Sequence, residues 1–359
     1  MDCVKTDCRY YRGAIPCLPH KSKGVHCSDC AEYQRLGKRL LIIKLGAIGD
    51  VIRTTPLLIK LKKEFPDAEI TWLTYSPEVV PEGWVDNILN FSLPNITWLQ
   101  QQHFDWIINL DKDREAIALA ELLPASRKSG FKMNEYGKCI PMGTPAETLK
   151  WLTGIWDDVN QANTLNYMEE IFSICGYDFA GEEYIMPFEG QSAQRFGKSV
   201  TVVGLNTGCG ARWTTRLWPE EKWSELASLL VAKGYETFLL GGPQEDYKNK
   251  KIAQLSGAKY PGVKPLNDFF ELLDACDIVV TQVTMAAHVA IALKKYVILL
   301  NNIFNKKEFF LYGNGCIVEP DLDCLGCFKQ RFDSNCKARN CMELISVESI
   351  MTGIESREA

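Results

Sequence analysis

Residues 40–58 read LLIIKLGAIGDVIRTTPLL. An unbroken apolar run, a turn holding Gly46 and Gly49, and a second apolar stretch predict a buried strand that passes straight into a helix. The glycines let the backbone take conformations that other residues avoid. A helix start also gathers unpaired N–H groups and the positive end of the helix dipole around whatever lies against it. Asp50 stands at that junction. It reads either as a cap of the helix or as a catalytic carboxylate, and local geometry alone favours the cap, because Asp is among the preferred capping residues. Pro56 should kink the helix or confine it to a late start.

Outward from this segment, apolar strands alternate with amphipathic helices. EITWLTY and DWIINL (105–110) read as strands, with helical stretches near 114–123 and 162–175. A polar bridge, GQSAQRFGK at 190–198, precedes a second series: strand SVTVVGLN, loop TGCGARWTTRLWP, helix EEKWSELASLLVAKG, strand YETFLLGG, helix DFFELLDAC, strand DIVVT, helix MAAHVAIALK and strand YVILLNN. Such alternation predicts an α/β protein with parallel, doubly wound sheets. At 359 residues the chain exceeds what one core usually fills. The expected organisation is a Cys-rich appendage over 1–38, a Rossmann-like domain over 39–189, a second over 190–320, a cysteine finger over 321–345 and a helix or tail over 346–359. The two sheets should face a cleft lined by loops from the strands' C-terminal ends.

Composition narrows the function classes. A net charge of −5 offers no basic field for nucleic acid. No apolar run reaches the length of a membrane span, and MDCVKTDCRYYRG lacks the apolar core of a signal peptide, so a cytoplasmic protein is expected. In that compartment 14 cysteines do not suggest a disulfide framework. Five lie before residue 31 (Cys3, Cys8, Cys17, Cys27, Cys30) and five after 315 (Cys316, Cys324, Cys327, Cys336, Cys341), while Cys139, Cys175, Cys209 and Cys276 are scattered and read as small buried apolar residues.

Cys324 and Cys327 are separated by two residues, Cys336 follows after eight and Cys341 after four. Two thiolates on one short turn, closed by a second pair, is the logic of a tetrahedral four-cysteine site for zinc or iron. At the other end Cys8, Cys17, Cys27 and Cys30 predict a second site, with Cys3, His20 and His26 as spare ligands and an Fe–S cluster as a further option. Both read as structural, since four protein ligands leave no open position for a substrate. Lys329, Arg331, Lys337 and Arg339 near Cys336 could touch nucleic acid, though such runs are usually solvated faces.

Three strand-to-helix loops of the second series carry candidate ligand-binding residues. The loop after SVTVVGLN holds Thr207, Gly208, Thr214, Thr215 and Arg216, whose forked guanidinium suits phosphate. Gly241-Gly242-Pro243 ends the next strand. TQVTMAAH (281–288) offers the Thr284 hydroxyl and a helix start as a phosphate seat, with His288 one turn in, where a structural hydrogen-bonding role is the commoner one. None is a Walker A loop or a GxGxxG fingerprint, and each by itself also fits an ordinary turn.

Taken in order, IIKLGAIGDVIRTTPLL with PDAEITWLT, then GLNTG followed by TTRLWPEEKW, then LLGGPQED, then DIVVTQVTMAAHVAIAL resemble glycosyltransferase family 9, the ADP-heptose:lipopolysaccharide heptosyltransferases, over about 40–320. The resemblance implies a GT-B fold and inverting transfer that needs no metal, with the acceptor received by the first domain and the ADP-sugar by the second. It implies that Asp50 is the general base, that Arg216 contacts the donor phosphates behind Thr214 and Thr215, that Glu245 holds the ribose, and that Thr284 and His288 belong to an Asp-Thr-Gly…His signature. With them, Thr207, Gly208, Gly242 and Met285 complete the expected donor site. Val283 stands where the family has Asp, Met285 where it has Gly, and NNIFNKKEFFLYG (301–313) departs from the expected glycine- and proline-rich stretch. The cysteine-rich C-terminal segment is similar to the iron-binding finger of bacterial autotransporter heptosyltransferases. The implied partners are a nucleotide-diphosphate sugar, ADP-heptose first, and a glycan, lipid A-core or protein acceptor, with peripheral association at the inner membrane as a further expectation. The alternative is a binding or assembly protein that keeps the fold without transfer and docks through its cysteine fingers; Val283 and Met285 favour it, Asp50 and Arg216 oppose it.

Overall fold

Strand β1 (Arg39–Ile43) is fully buried from Leu40 to Ile43, as an apolar run covered on both faces must be. The structure, a computed structural model, describes residues 4–188, 200–210, 213–334, 336 and 340–357. The polar bridge at 190–198, Cys3, Lys337 and Arg339 lie outside the described residues. Chain contacts divide the molecule into two units, Met1–Leu45 with Leu57–Met142, and Gly46–Pro56 with Gly143–Ala359.

The first unit is built on a six-stranded sheet in the order β3-β2-β1-β4-β5-β6, where β2 is Glu69–Thr74, β3 Asn87–Asn90, β4 Phe104–Asn109, β5 Ala125–Met133 and β6 Cys139–Pro141. Five strands are parallel and β6 runs antiparallel to β5. Leu41, Ile43, Leu73 and Ile107 pack with Phe104 and the buried face of the Arg114–Leu122 helix in one core. The cysteine-rich N-terminal segment is tied to this unit by Arg9, whose guanidinium donates to the carbonyls of Asp67 (2.9 Å) and Ala68 (2.7 Å).

The second unit carries a five-stranded parallel sheet, β11-β10-β9-β7-β8, with β7 at Val202–Asn206, β8 at Glu236–Leu240, β9 at Ile278–Gln282, β10 at Tyr296–Leu300 and β11 at Gly315–Val318. Its core joins Val203, Leu205 and Val280 to the Glu220–Ala232 helix and the C-terminal Val347–Glu355 helix, around Trp218 and Trp223 in edge-to-face contact at 4.8 Å. The second unit also owns the turn that follows β1. Pro56 divides the apolar stretch there into a short Ile48–Ile52 helix and a Leu57–Glu64 helix, because its ring and missing N–H forbid an uninterrupted ladder.

Candidate functional site

Asp50 occupies the third position of the Ile48–Ile52 helix, and its carboxylate reaches back to accept the N–H of Ala47 at 3.3 Å. It thus caps the helix start from within, not from the N-cap position. Its other oxygen lies 2.8 Å from Arg53 one turn on. Arg53 donates in turn to Glu308 at 2.7 Å, and its guanidinium lies 3.7 Å over the Tyr167 ring. Burial works against the Arg53 charge, but Asp50 and Glu308 outweigh it and hold its pKa above the usual value. Burial likewise pushes Glu308 up, and Arg53 with Lys150 overcomes that and keeps it below the ordinary range. The result is a buried cation shared by two carboxylates, of which Asp50 is the more open at 32% exposed against 19% for Glu308.

The Ile48–Ile52 helix packs on the Met285–Ala292 helix. A Cβ on Gly49 would fall 2.5 Å from Cδ2 of His288, so only glycine permits this approach. His288 is buried, its Nδ1 makes no hydrogen bond among the described residues, and burial, with Arg53 adding repulsion, pushes its pKa down to about 4. The imidazole is therefore neutral near neutral pH.

At the carboxyl ends of β7, β8 and β9 the expected donor residues come together. Thr284 begins the Met285–Ala292 helix without capping it, because its hydroxyl is 3.2 Å from both Asn206 Nδ2 and Thr281 Oγ1. That leaves the N–H groups of the first turn, from Met285 on, without a side-chain cap. Thr207 donates its hydroxyl to Asn249 at 2.6 Å, and Glu245 accepts the N–H of Gly242 at 2.9 Å. Gly208 is pressed against Glu245, whose carboxyl carbon would lie 2.3 Å from any Cβ there. Arg216 is 9% exposed and gives its N–H groups to the carbonyls of Val283, Cys209 (3.0 Å) and Trp213 (3.4 Å). None of these partners is charged, and burial lowers its pKa. Thr214 and Thr215 precede it in a single helical turn, with Thr215 donating to the Lys329 carbonyl at 2.7 Å. Ala211 and Arg212 of this loop lie outside the described residues.

Sequence reading passed over Arg53, Glu308 and Lys248. Lys248 donates to the Thr207 carbonyl at 2.8 Å, and burial lowers its pKa. Arg53 could have been suspected from its spacing, three residues after an acid on a helix. Glu308 could not: it lies in the 301–313 segment and meets Arg53 only through the tertiary fold.

Among the cysteines, Cys327 and Cys341 have thiol pKa values raised by burial, with the nearby Cys324 adding to both and Cys336 to Cys341. Asn302 donates to Cys341 at 3.1 Å. Among the described residues no group of three or more His, Cys, Asp or Glu side chains is placed to hold a metal ion. Lys329 is paired with Asp333 at 2.8 Å. No helix among the described residues is long and apolar enough to cross a membrane.

Residues 185–331 match the family description "Glycosyltransferase family 9 (heptosyltransferase)". That stretch of the chain is similar to glycosyltransferase family 9. It is 24% identical over 229 residues to a lipopolysaccharide heptosyltransferase 3 of Escherichia coli, an overlap of 55% of this chain and 62% of that protein, so the alignment spans under two thirds of the relative's length. Among solved structures, a family 9 glycosyltransferase from Veillonella parvula DSM 2008 superposes with a TM-score of 0.69 at 17% identity, covering 90% of this chain and 98% of its own. The dodecameric iron-containing heptosyltransferase TibC, from enterotoxigenic E. coli H10407, in complex with ADP-D-beta-D-heptose, superposes with a TM-score of 0.56 at 14% identity, covering 89% and 77%. These structural likenesses are likenesses of fold, and with the two parallel-sheet units they assign a GT-B fold.

Proposed function

We propose that this protein is an inverting glycosyltransferase that moves a heptose from ADP-heptose to a hydroxyl of a lipopolysaccharide glycan. The observation that carries the reading is the packing of the Asp50 turn on the Met285–Ala292 helix through Gly49 and His288, which keeps a half-open carboxylate on an element packed against that helix. The relatives add support: one is named for lipopolysaccharide heptosyl transfer and one is described with ADP-heptose.

In the proposed reaction the acceptor oxygen forms a bond to the anomeric carbon while the carbon–oxygen bond to the diphosphate breaks. The proton goes to Asp50, the bonding pair leaves with ADP, and the anomeric centre inverts. Arg53, shared with Glu308, pairs with the carboxylate and fixes its orientation. On the departing side, the uncapped N–H groups after Thr284, Lys248 and Arg216 supply positive potential as charge grows on the diphosphate, in a partly dry setting where such stabilisation is strong. Thr207, Gly208, Gly242, Glu245 and Met285 would line the nucleotide, with Thr214 and Thr215 presenting Arg216. His288, neutral and buried, shapes the helix junction and takes no proton in this scheme. The C-terminal cysteines would brace the fold around zinc or iron, since four thiolates suit either ion.

Asp50→Asn tests the proposal. General-base help is worth on the order of 10² to 10⁴ in rate, so heptose transfer should fall by that factor while ADP still raises the melting temperature, as a ligand of the native state must. Unchanged transfer removes Asp50 from the mechanism. A panel of ADP-, UDP- and GDP-sugars in the same melting assay tests the nucleotide, and stabilisation by a UDP- or GDP-sugar alone would discard ADP-heptose.

A further inference from the structure

We infer that the N-terminal segment binds an iron–sulfur cluster through Cys8, Cys17, Cys27 and Cys30. These four cysteines line one cavity of about 300 Å³, and all four are free thiols that are neither fully buried nor fully exposed. The scaffold around them is made by backbone contacts. Cys17 starts the Leu18–Lys23 helix, and Cys27 and Cys30 flank a turn closed by Asp29 N–H to the His26 carbonyl at 3.0 Å. Cys8 is held by a β-bridge to Arg35 and by Tyr11 N–H to its carbonyl at 2.9 Å. His20 Nδ1 lies 3.0 Å from the Val25 carbonyl, which ties that helix to the approach of the Cys27 turn.

The size and lining of the cavity favour a cluster over a single ion. A lone zinc draws four sulfurs to about 2.3 Å from one point, whereas these four cysteines are spread over the lining of a cavity of about 300 Å³. A water molecule takes about 30 Å³ of liquid, so this cavity has room for several atoms, enough for a polynuclear core with one thiolate at each corner. The remaining wall is largely apolar and aromatic, with Ile15, Pro16, Pro19, Val25 and Tyr33 among its residues. Such a wall lowers the polarity around cluster sulfides and sets their environment. A segment this short has little apolar core of its own, and an inorganic centre supplies the cross-link that small folds need. The inference does not depend on the glycosyl-transfer reading, and its test does not measure transfer.

The full chain, produced in iron-replete cells and purified without oxygen, is assayed for iron, zinc and acid-labile sulfide per chain and for visible absorption before and after dithionite. The expected result is roughly two to four irons with matching sulfide and a visible band that dithionite bleaches. Sulfide should vanish in Cys27→Ser/Cys30→Ser and persist in Cys324→Ser/Cys327→Ser. Zinc without sulfide, iron without sulfide, no metal, or sulfide that disappears only with the C-terminal pair would each overturn the inference. Should the N-terminal variant fail to fold, the wild-type sulfide content and its persistence in the C-terminal variant still decide the matter.

Discussion

His288 shows how a single side chain can be set by its neighbours more than by its own chemistry. Gly49 lets the Ile48–Ile52 helix close over the imidazole, and Arg53 stands near enough to repel a second positive charge. Asp50 and Glu308 pull the other way without prevailing, so the ring's pKa drops from the usual 6.5 to about 4. The sign of the consequence follows from linkage. Between these two values the unfolded chain binds a proton that the folded chain refuses, so stability rises with pH across the window and is lost as pH falls from about 6.5 toward 4. A shift of that size corresponds to about 3 kcal/mol. His288→Leu should flatten the dependence of unfolding free energy on pH over this interval by about that amount, measured by urea denaturation at a series of pH values. An unchanged slope would mean that the imidazole is not excluded from protonation in the fold. The same region explains why Asp50 has two descriptions. One carboxylate oxygen caps a helix N–H and the other pairs with Arg53, so the cap and the proposed base are one group and not alternatives.

Elements with strong periodicity were legible in the chain. β1, β2, β4, β7, β8, β9 and β10 fall where apolar runs predicted them, and so do the Glu220–Ala232, Leu266–Ala275 and Met285–Ala292 helices. What escaped were elements whose pattern does not announce burial. β5 reads ASRKSGFKM and is buried only at Ser129, Gly130 and Phe131, so its strand character comes from pairing with β4 and not from an apolar run. β3 and β11 are four-residue strands, each at an edge of its own sheet, where half-buried residues blur the signal. The donor-loop residues were legible because glycine and threonine clusters between strand and helix announce turns. Their connections were not. Arg216 looks like a free phosphate ligand in the sequence, yet its donors bind carbonyls from its own turn and from two loops, after β7 and after β9. A residue so held positions the loops that would receive a diphosphate, and its buried charge adds to their potential without a carboxylate among its bonded partners.

At the scale of the molecule, the segment between Gly46 and Pro56 follows a strand of the first unit but belongs by its contacts to the second. The proposed base and the proposed phosphate seat thereby lie in one unit, while β1 through β6 lie in the other. Local opening in proteins follows such contiguous units, and a ligand raises protection only where the opening it opposes is shared. ADP binding at the β7, β8 and β9 loops should therefore slow amide exchange not only around 207–210, 242–245 and 284–288 but also in the Ile48–Ile52 helix, since that helix leans on the Met285–Ala292 helix through Gly49 and His288. Amides of β2, β4 and β5 should exchange at unchanged rates. Hydrogen exchange read by mass spectrometry, with and without ADP, separates the possible outcomes. If the loops gain protection and the Ile48–Ile52 helix does not, nucleotide binding is not transmitted to the Asp50 turn. If β2, β4 and β5 gain as much as the loops, the two units open together and the contact-based division has no energetic counterpart.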